Sequence, residues 1–242
     1  MQNVTMTDQR KESYSYEESI KTLRTNIQFA GKGIQTILFT SCYPNEGKSD
    51  IAFQLAKEIG KMGKRVVLLD ADIRKSSLIS RYQVRENIKG LSQYLSGQAD
   101  MSEICCHTNF ENMDIIFAGL VAPNPSELLE EEDFAELIQA LRMRYEYILV
   151  DTPPLGSVID AAIVAKQCDG AVLIIESELV SYRVAQKMKA QLLRTGCRIL
   201  GAVLNKVDED KQGYYNRYYK GKYHKYYKYS YNNYYGNNHR KS

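Results

Sequence analysis

A loop ending Gly47-Lys48-Ser49 lies between an alternating apolar run, Ile34-Gln35-Thr36-Ile37-Leu38-Phe39, and a helical pattern from Ile51 to Ile59. Strand, tight loop and helix in that order let backbone N–H groups converge on a phosphate, and the helix N-terminus adds positive potential. The loop runs through Cys42, Tyr43, Pro44, Asn45, Glu46, Gly47, Lys48 and Ser49, with Asp50 next. Lys48 would supply a point charge to β- and γ-phosphates, and Ser49 a hydroxyl ligand for Mg²⁺. The pattern G-x-x-x-x-G-K-S lacks its first glycine because Cys42 stands there, so taken alone the three residues also fit a chance helix start. The rest of the chain decides.

Apolar runs recur and carry carboxylates at their ends. Arg65 to Asp70 reads as a buried parallel strand delivering Asp70-Ala71-Asp72-Ile73-Arg74 at its C-terminal end, where open α/β sheets bind ligands. Tyr147 to Val150 is a second such strand, ending in Asp151-Thr152-Pro153-Pro154 and placing a carboxylate beside a Mg²⁺ shell. Further strands are predicted over 113–118, 170–175 and 198–205. Helices are predicted from Tyr14 to Phe29 on the spacing of Tyr16, Ile20, Leu23 and Ile27, over 90–95, from an N-cap at Ser126 to about Met143, from Val158 to Ala165, and from Ser181 to Leu193. Residues 1–13 read as polar and loose, and 75–111 are hard to place. Alternation of nearly all-apolar strands with helices points to a doubly wound, mainly parallel α/β sheet.

At 242 residues the chain suits one such domain plus an appendage. The appendage declares itself by composition. No acidic residue follows Asp210, eight basic ones do, and the formal charge of +3 therefore divides into +8 on residues 211–242 and −5 on the rest. Eleven of the 19 tyrosines crowd into those 32 residues: Tyr214, Tyr215, Tyr218, Tyr219, Tyr223, Tyr226, Tyr227, Tyr229, Tyr231, Tyr234 and Tyr235. With no aliphatic residue to build a core, the segment is predicted to be disordered. Boundaries fall at 1–33 for an arm and helix, 34–207 for the phosphate-binding domain and 208–242 for the tail. Five cysteines without C-x-x-C spacing, no apolar leader and no run long enough to cross a bilayer predict a soluble intracellular protein with reduced thiols.

The loop, the two acid-ended strands and the tyrosine tail together resemble the bacterial tyrosine kinases (BY-kinases) of capsular and exopolysaccharide synthesis, in their cytoplasmic-domain form, over nearly the whole chain. Cys42 to Ser49 matches the family's Walker A motif, Val66 to Arg74 its Walker A′ motif, and Ile148 to Pro153 its Walker B motif; Pro123-Asn124-Pro125-Ser126-Glu127-Leu128-Leu129 also looks like a family segment. The resemblance implies a P-loop NTPase fold of MinD/ParA type that transfers phosphate from Mg-ATP to tyrosine, with the tail as its autophosphorylation cluster. Lys48 then holds phosphates, Ser49, Asp72 and Asp151 hold Mg²⁺, Asp70 accepts the proton of the incoming phenol, and Arg74 steers the acceptor or stabilises product. The resemblance also implies a homo-oligomeric ring, an octamer, assembled through Glu18, Lys21 and Arg24. It further implies activation at the inner face of the cell membrane by the cytoplasmic end of a membrane-embedded polysaccharide co-polymerase, and reversal by a tyrosine phosphatase. No nucleic-acid partner is expected.

Two departures stand out. Lys21 replaces the middle arginine of the family's E-x-x-R-x-x-R contact motif, keeping charge but losing the bidentate fork. Asp50 stands where Thr is usual; next to bound phosphates it would weaken nucleotide binding relative to Asp50→Thr.

Three other readings compete. A MinD/ParA-type ATPase with a DNA-, RNA- or membrane-binding tail would carry Lys where Tyr43 stands. A GTPase is suggested by Asn205-Lys206-Val207-Asp208, an N-K-x-D match, although a strand-end Asn beside the base also occurs in ATP-using relatives of this fold. A Tyr/Lys stacking platform for single-stranded nucleic acid fits the tail but not the phosphate loop.

Overall fold

The computed structural model describes residues 1–10 and 13–208. Eight strands form one sheet in the order β1-β4-β5-β3-β6-β2-β7-β8. In chain order these are β1 (Gln2–Val4), β2 (Thr36–Ser41), β3 (Val66–Asp70), β4 (Cys105–Thr108), β5 (Met113–Ile116), β6 (Tyr147–Asp151), β7 (Gly170–Glu176) and β8 (Ile199–Asn205). Every pairing is parallel except β4 with β5. Nine helices are found among the described residues: α1 (Tyr14–Phe29), α2 (Lys48–Gly60), α3 (Leu78–Arg81), α4 (Leu91–Leu95), α5 (Met101–Ile104), α6 (Pro125–Glu130), α7 (Glu132–Arg142), α8 (Asp160–Ala165) and α9 (Tyr182–Leu193).

The central strands β2, β3 and β6 are buried almost throughout because both faces are covered. Period-two alternation sends Ile37, Phe39, Val66, Leu68 and Leu149 into one core with Ile20 and Ile27 of α1 and Ile51, Phe53, Leu55 and Ile59 of α2. The intervening Leu38, Val67, Leu69, Ile148 and Val150 enter the opposite core with Phe134, Leu137 and Leu141 of α7 and with α8. This is the doubly wound, mainly parallel sheet expected of the sequence.

Local readings need correction in three places. The first ten residues are not loose: β1 pairs with β4 in register Gln2↔Cys106, and Asp8 accepts from Gln54 and Lys57 of α2, both at 2.8 Å. The helix expected from Ser126 begins instead at Pro125 with Asn124 as its N-cap, and the extended Glu131 (φ −63°, ψ 154°) divides it into α6 and α7. Proline presets the first helical φ and disfavours helix at the residue before it, which moves the boundary back to Asn124. β4, within a stretch the sequence left unassigned, supplies the antiparallel pairing.

Contacts divide the chain into a compact unit Met1–Asn205 and a second beginning at Lys206, of which residues 206–208 are described. The eleven tail tyrosines and the disorder expected around them lie outside the described residues. No described helix is long and apolar enough to cross a membrane.

Candidate active site

β2, β3 and β6 are neighbours, and their C-terminal ends bring the three motifs to one edge. Phe39 is in register with Asp151, and Asp151 with Asp70. Between β2 and α2 the chain turns through two left-handed residues, Asn45 (φ 66°) and Gly47 (φ 90°), and Gly47 caps α2 without a side chain. The first intrahelical bond runs from the Ile51 N–H to the Gly47 carbonyl at 3.0 Å. Amides of Lys48, Ser49 and Asp50 therefore face the loop without helical partners, an arrangement suited to an anion.

Glu46 holds this loop shut. It is fully buried, accepting the Tyr43 N–H at 2.7 Å and the Glu176 N–H at 3.0 Å on its two carboxylate oxygens. Asn205, ending β8, donates Nδ2 to the Glu46 carbonyl at 2.8 Å. An added Cβ at Gly47 would come within 2.2 Å of that same nitrogen, so glycine is required here by space as well as by φ. Cys42, in place of the first glycine, is fully buried, and burial pushes its thiol up to about 11. Its carbonyl lies 2.1 Å from where a Cβ on Gly156 would stand, so the turn after β6 packs directly on the loop.

Lys48 Nζ sits 3.8 Å from both Asp72 Oδ2 and Asp151 Oδ1 and 3.3 Å from Ser49 Oγ. Asp151 is raised above the usual carboxylate range by burial, against the opposing pull of Lys48 and a hydrogen bond from Ser49. Its Oδ1 is buried with no hydrogen-bond partner among the described residues. Asp70, fully buried, is pushed up to about 8, first by burial and then by the Asp151 charge. Both its oxygens are occupied, by the Asp72 N–H at 3.2 Å and by the Ser76 hydroxyl.

An unpartnered carboxylate oxygen beside a hydroxyl and a second carboxylate is a hard oxygen donor set, and Ser49, Asp72 and Asp151 fit a Mg²⁺ ion. No three Asp, Glu, His or Cys side chains gather into a metal cage among the described residues. That agrees with an ion held by one or two carboxylates together with substrate phosphates.

Other predicted residues sit elsewhere. Asp50 does not present a free charge to the loop. Its carboxylate accepts from Tyr16 Oη at 3.1 Å and Tyr82 Oη at 3.3 Å, pairs with Arg10, and lies 3.9 Å from Arg81 Nη1. The Asp50 carboxylate is thus paired by two arginines, a compensation the sequence did not reveal. Arg74 is forked onto Asp160, a residue the sequence reading passed over. Of the predicted contact residues, Glu18 and Lys21 pair with each other at 2.7 Å on the surface, while Arg24 turns inward to within 3.8 Å of Glu58 on α2.

A phosphate-binding loop on a parallel sheet, its lysine faced by the strand-end Asp151 and by Asp72 from the loop after β3, defines a P-loop nucleotide-binding protein. A family model described as an AAA domain matches residues 35–206. Tyrosine-protein kinase CpsD of Streptococcus pneumoniae is 42% identical over 204 residues, covering 84% of this chain and 90% of the relative. The kinase domain of the Escherichia coli tyrosine kinase ETK superposes with a TM-score of 0.77 at 28% identity, over 85% of this chain and 89% of that one. The Mg-ADP complex of the septum site-determining protein MinD from Pyrococcus horikoshii gives 0.62 at 26% identity, over 70% and 69%. The chain belongs to the bacterial tyrosine-protein kinases. The MinD-type alternative is left with a more distant structural likeness.

Proposed function

We propose that the chain transfers the γ-phosphoryl group of ATP to tyrosines of its own tail, between subunits, and thereby regulates synthesis and export of a capsular or extracellular polysaccharide. The observation that carries the chemistry is Lys48 standing between Asp72 and Asp151 with Ser49 beside it. Lys48 and the loop amides bind the β- and γ-phosphates. Ser49, Asp72 and Asp151 would hold Mg²⁺, which supplies neutralisation of charge on the transferring group. The bond from the γ-phosphorus to its bridging oxygen breaks, a bond to the tyrosine Oη forms, and the phenolic proton passes to Asp70, leaving ADP. For that proton to reach Asp70, the Ser76 hydroxyl has to give up its place on the carboxylate. Asn205, its amide nitrogen committed to Glu46, has its carbonyl oxygen left to accept from an adenine amino group, which favours ATP over GTP.

The tail fits the acceptor role by charge. Each phosphotyrosine adds about −1.5 to −2 at pH 7, so roughly five would cancel the +8 of residues 211–242. An unmodified tail is attracted to the acidic body, and a phosphorylated one is repelled, which loosens the assembly. The assembly is a ring, an octamer, formed through Glu18, Lys21 and Arg24. It is recruited to the inner face of the cell membrane by a membrane-embedded co-polymerase and reset by a tyrosine phosphatase.

The test mixes Lys48→Met subunits with active subunits whose tail tyrosines are all Phe. Phosphate is expected on the Lys48→Met chains; if they stay unmodified, transfer between subunits is wrong.

A further inference from the structure

Behind the loop that follows β3, three side chains close a hydrogen-bonded ring outside the groups assigned to nucleotide. Arg74 donates Nε to Asp160 Oδ2 at 2.6 Å and Nη2 to Asp160 Oδ1 at 2.9 Å. The same Nη2 donates to Ser126 Oγ at 2.8 Å, and Ser126 donates its hydroxyl proton to Asp160 Oδ1 at 2.9 Å. Three separate segments meet there: the loop after β3, the first turn of α6 and the first residue of α8. Asp160 is fully buried while the Arg74 side chain is 36% exposed. A buried carboxylate held by a bidentate guanidinium is costly to leave unpaired, so the ring has one favoured geometry.

The loop tied down by this ring carries the chemistry. Arg74 lies two residues beyond Asp72 and four beyond Asp70. The Ala122 N–H donates to the Ile73 carbonyl at 3.2 Å, and the Lys75 N–H to Asp72 Oδ1 at 3.0 Å. The phosphate loop is anchored by other means, through Glu46 and Asn205. Opening the ring would therefore shift Asp72 relative to Lys48, while Asp70 stays in register with Asp151 and the phosphate loop stays in place.

We propose that Asp160, with Ser126, is a positioning residue for tyrosine transfer: it clamps Arg74 and so holds the loop after β3 with Asp72 facing Lys48. The inference rests on the kinase reading above. A displacement of about 1 Å in such a loop lowers turnover on the order of 10²-fold.

The experiment uses the full chain, Mg-ATP and a synthetic peptide of residues 211–242 as acceptor, with metal-free ADP affinity measured alongside. Asp160→Asn should lower kcat by about 10–100-fold, with peptide KM and ADP affinity within about threefold of the parent. Arg74→Lys should do the same, and the double variant should be no slower than Arg74→Lys alone, because non-additivity marks groups acting as one unit. Ser126→Ala leaves the fork in place and should lower kcat about threefold without changing the melting temperature; it decides the matter if Asp160→Asn does not fold. Additive losses, an effect confined to KM, or an unchanged kcat for Ser126→Ala would overturn the inference. Absence of transfer by the parent chain would overturn the kinase reading and this inference with it.

Discussion

Replacing Glu46 by Gln changes a single atom type in the phosphate loop, and its effect can be worked from two distances. The carboxylate accepts two backbone N–H groups, from Tyr43 at 2.7 Å and Glu176 at 3.0 Å, and is fully buried. Glutamine keeps one acceptor oxygen and turns an NH₂ group towards the other N–H, so one bond is lost and two donors face each other. A hydrogen bond to a charged group contributes about 1.5–3 kcal/mol, which sets the loss at about 2–3 kcal/mol. In a domain of this size each kcal/mol lowers the melting temperature by about 2–4 °C, giving a fall of about 4–12 °C if the loop and the fold open together. If the loop opens alone, the same free energy appears as weaker binding, up to about thirtyfold at 2 kcal/mol. Calorimetry together with titration of a fluorescent ADP analogue reads both quantities. A variant that melts within about 1 °C of the parent and binds ADP within twofold would refute the clamp.

Asp70→Asn tests the burial of the second carboxylate. The Asp70 pKa is raised, so the burial of this one carboxyl costs nothing where its unfolded form is also protonated, below about pH 4. That group's contribution is then lost as pH rises towards about 8. The gain in melting temperature from Asp70→Asn, measured in EDTA without nucleotide, should grow from pH 5 to pH 8; a gain that is the same at both would exclude the linkage. Asp50→Thr leaves Arg10 and Arg81 without their carboxylate and at least one of Tyr16 and Tyr82 without its acceptor. The partly exposed arginines lose little, while a tyrosine hydroxyl left without an acceptor costs about 1–3 kcal/mol. The variant should therefore melt below the parent in urea or heat, and equal stability would show that the cluster contributes nothing.

Periodicity and motif spacing were enough for much of this architecture. α1 spans Tyr14–Phe29 as its apolar spacing predicts, and the buried strands end in Asp70 and Asp151 at adjacent positions. What stayed hidden depends on long-range pairing. Gln2-Asn3-Val4 and Cys105 to Thr108 are too short and too mixed to announce strands, and they become strands because each completes the other's edge. Asp50 was legible as an oddity but not as a compensated one, since Arg10, Tyr16, Arg81 and Tyr82 reach it from distant segments. Asp160 gave a faint signal, an acid opening an apolar helix, yet nothing local ties it to Arg74. For Glu46 no signal existed, because a loop glutamate reads as solvent-facing until the end of β7 folds over it.

The pairing of Gln2 with Cys106 also sets an order of events during synthesis. The partner of β1 leaves the ribosome about 100 residues later, which at roughly 5–20 residues per second is a delay of about 5–20 s. The bonds of Asp8 to Gln54 and Lys57 of α2 span less than half that separation in sequence. The ties to the helix that follows the phosphate loop can therefore close before the edge of the sheet exists to receive β1.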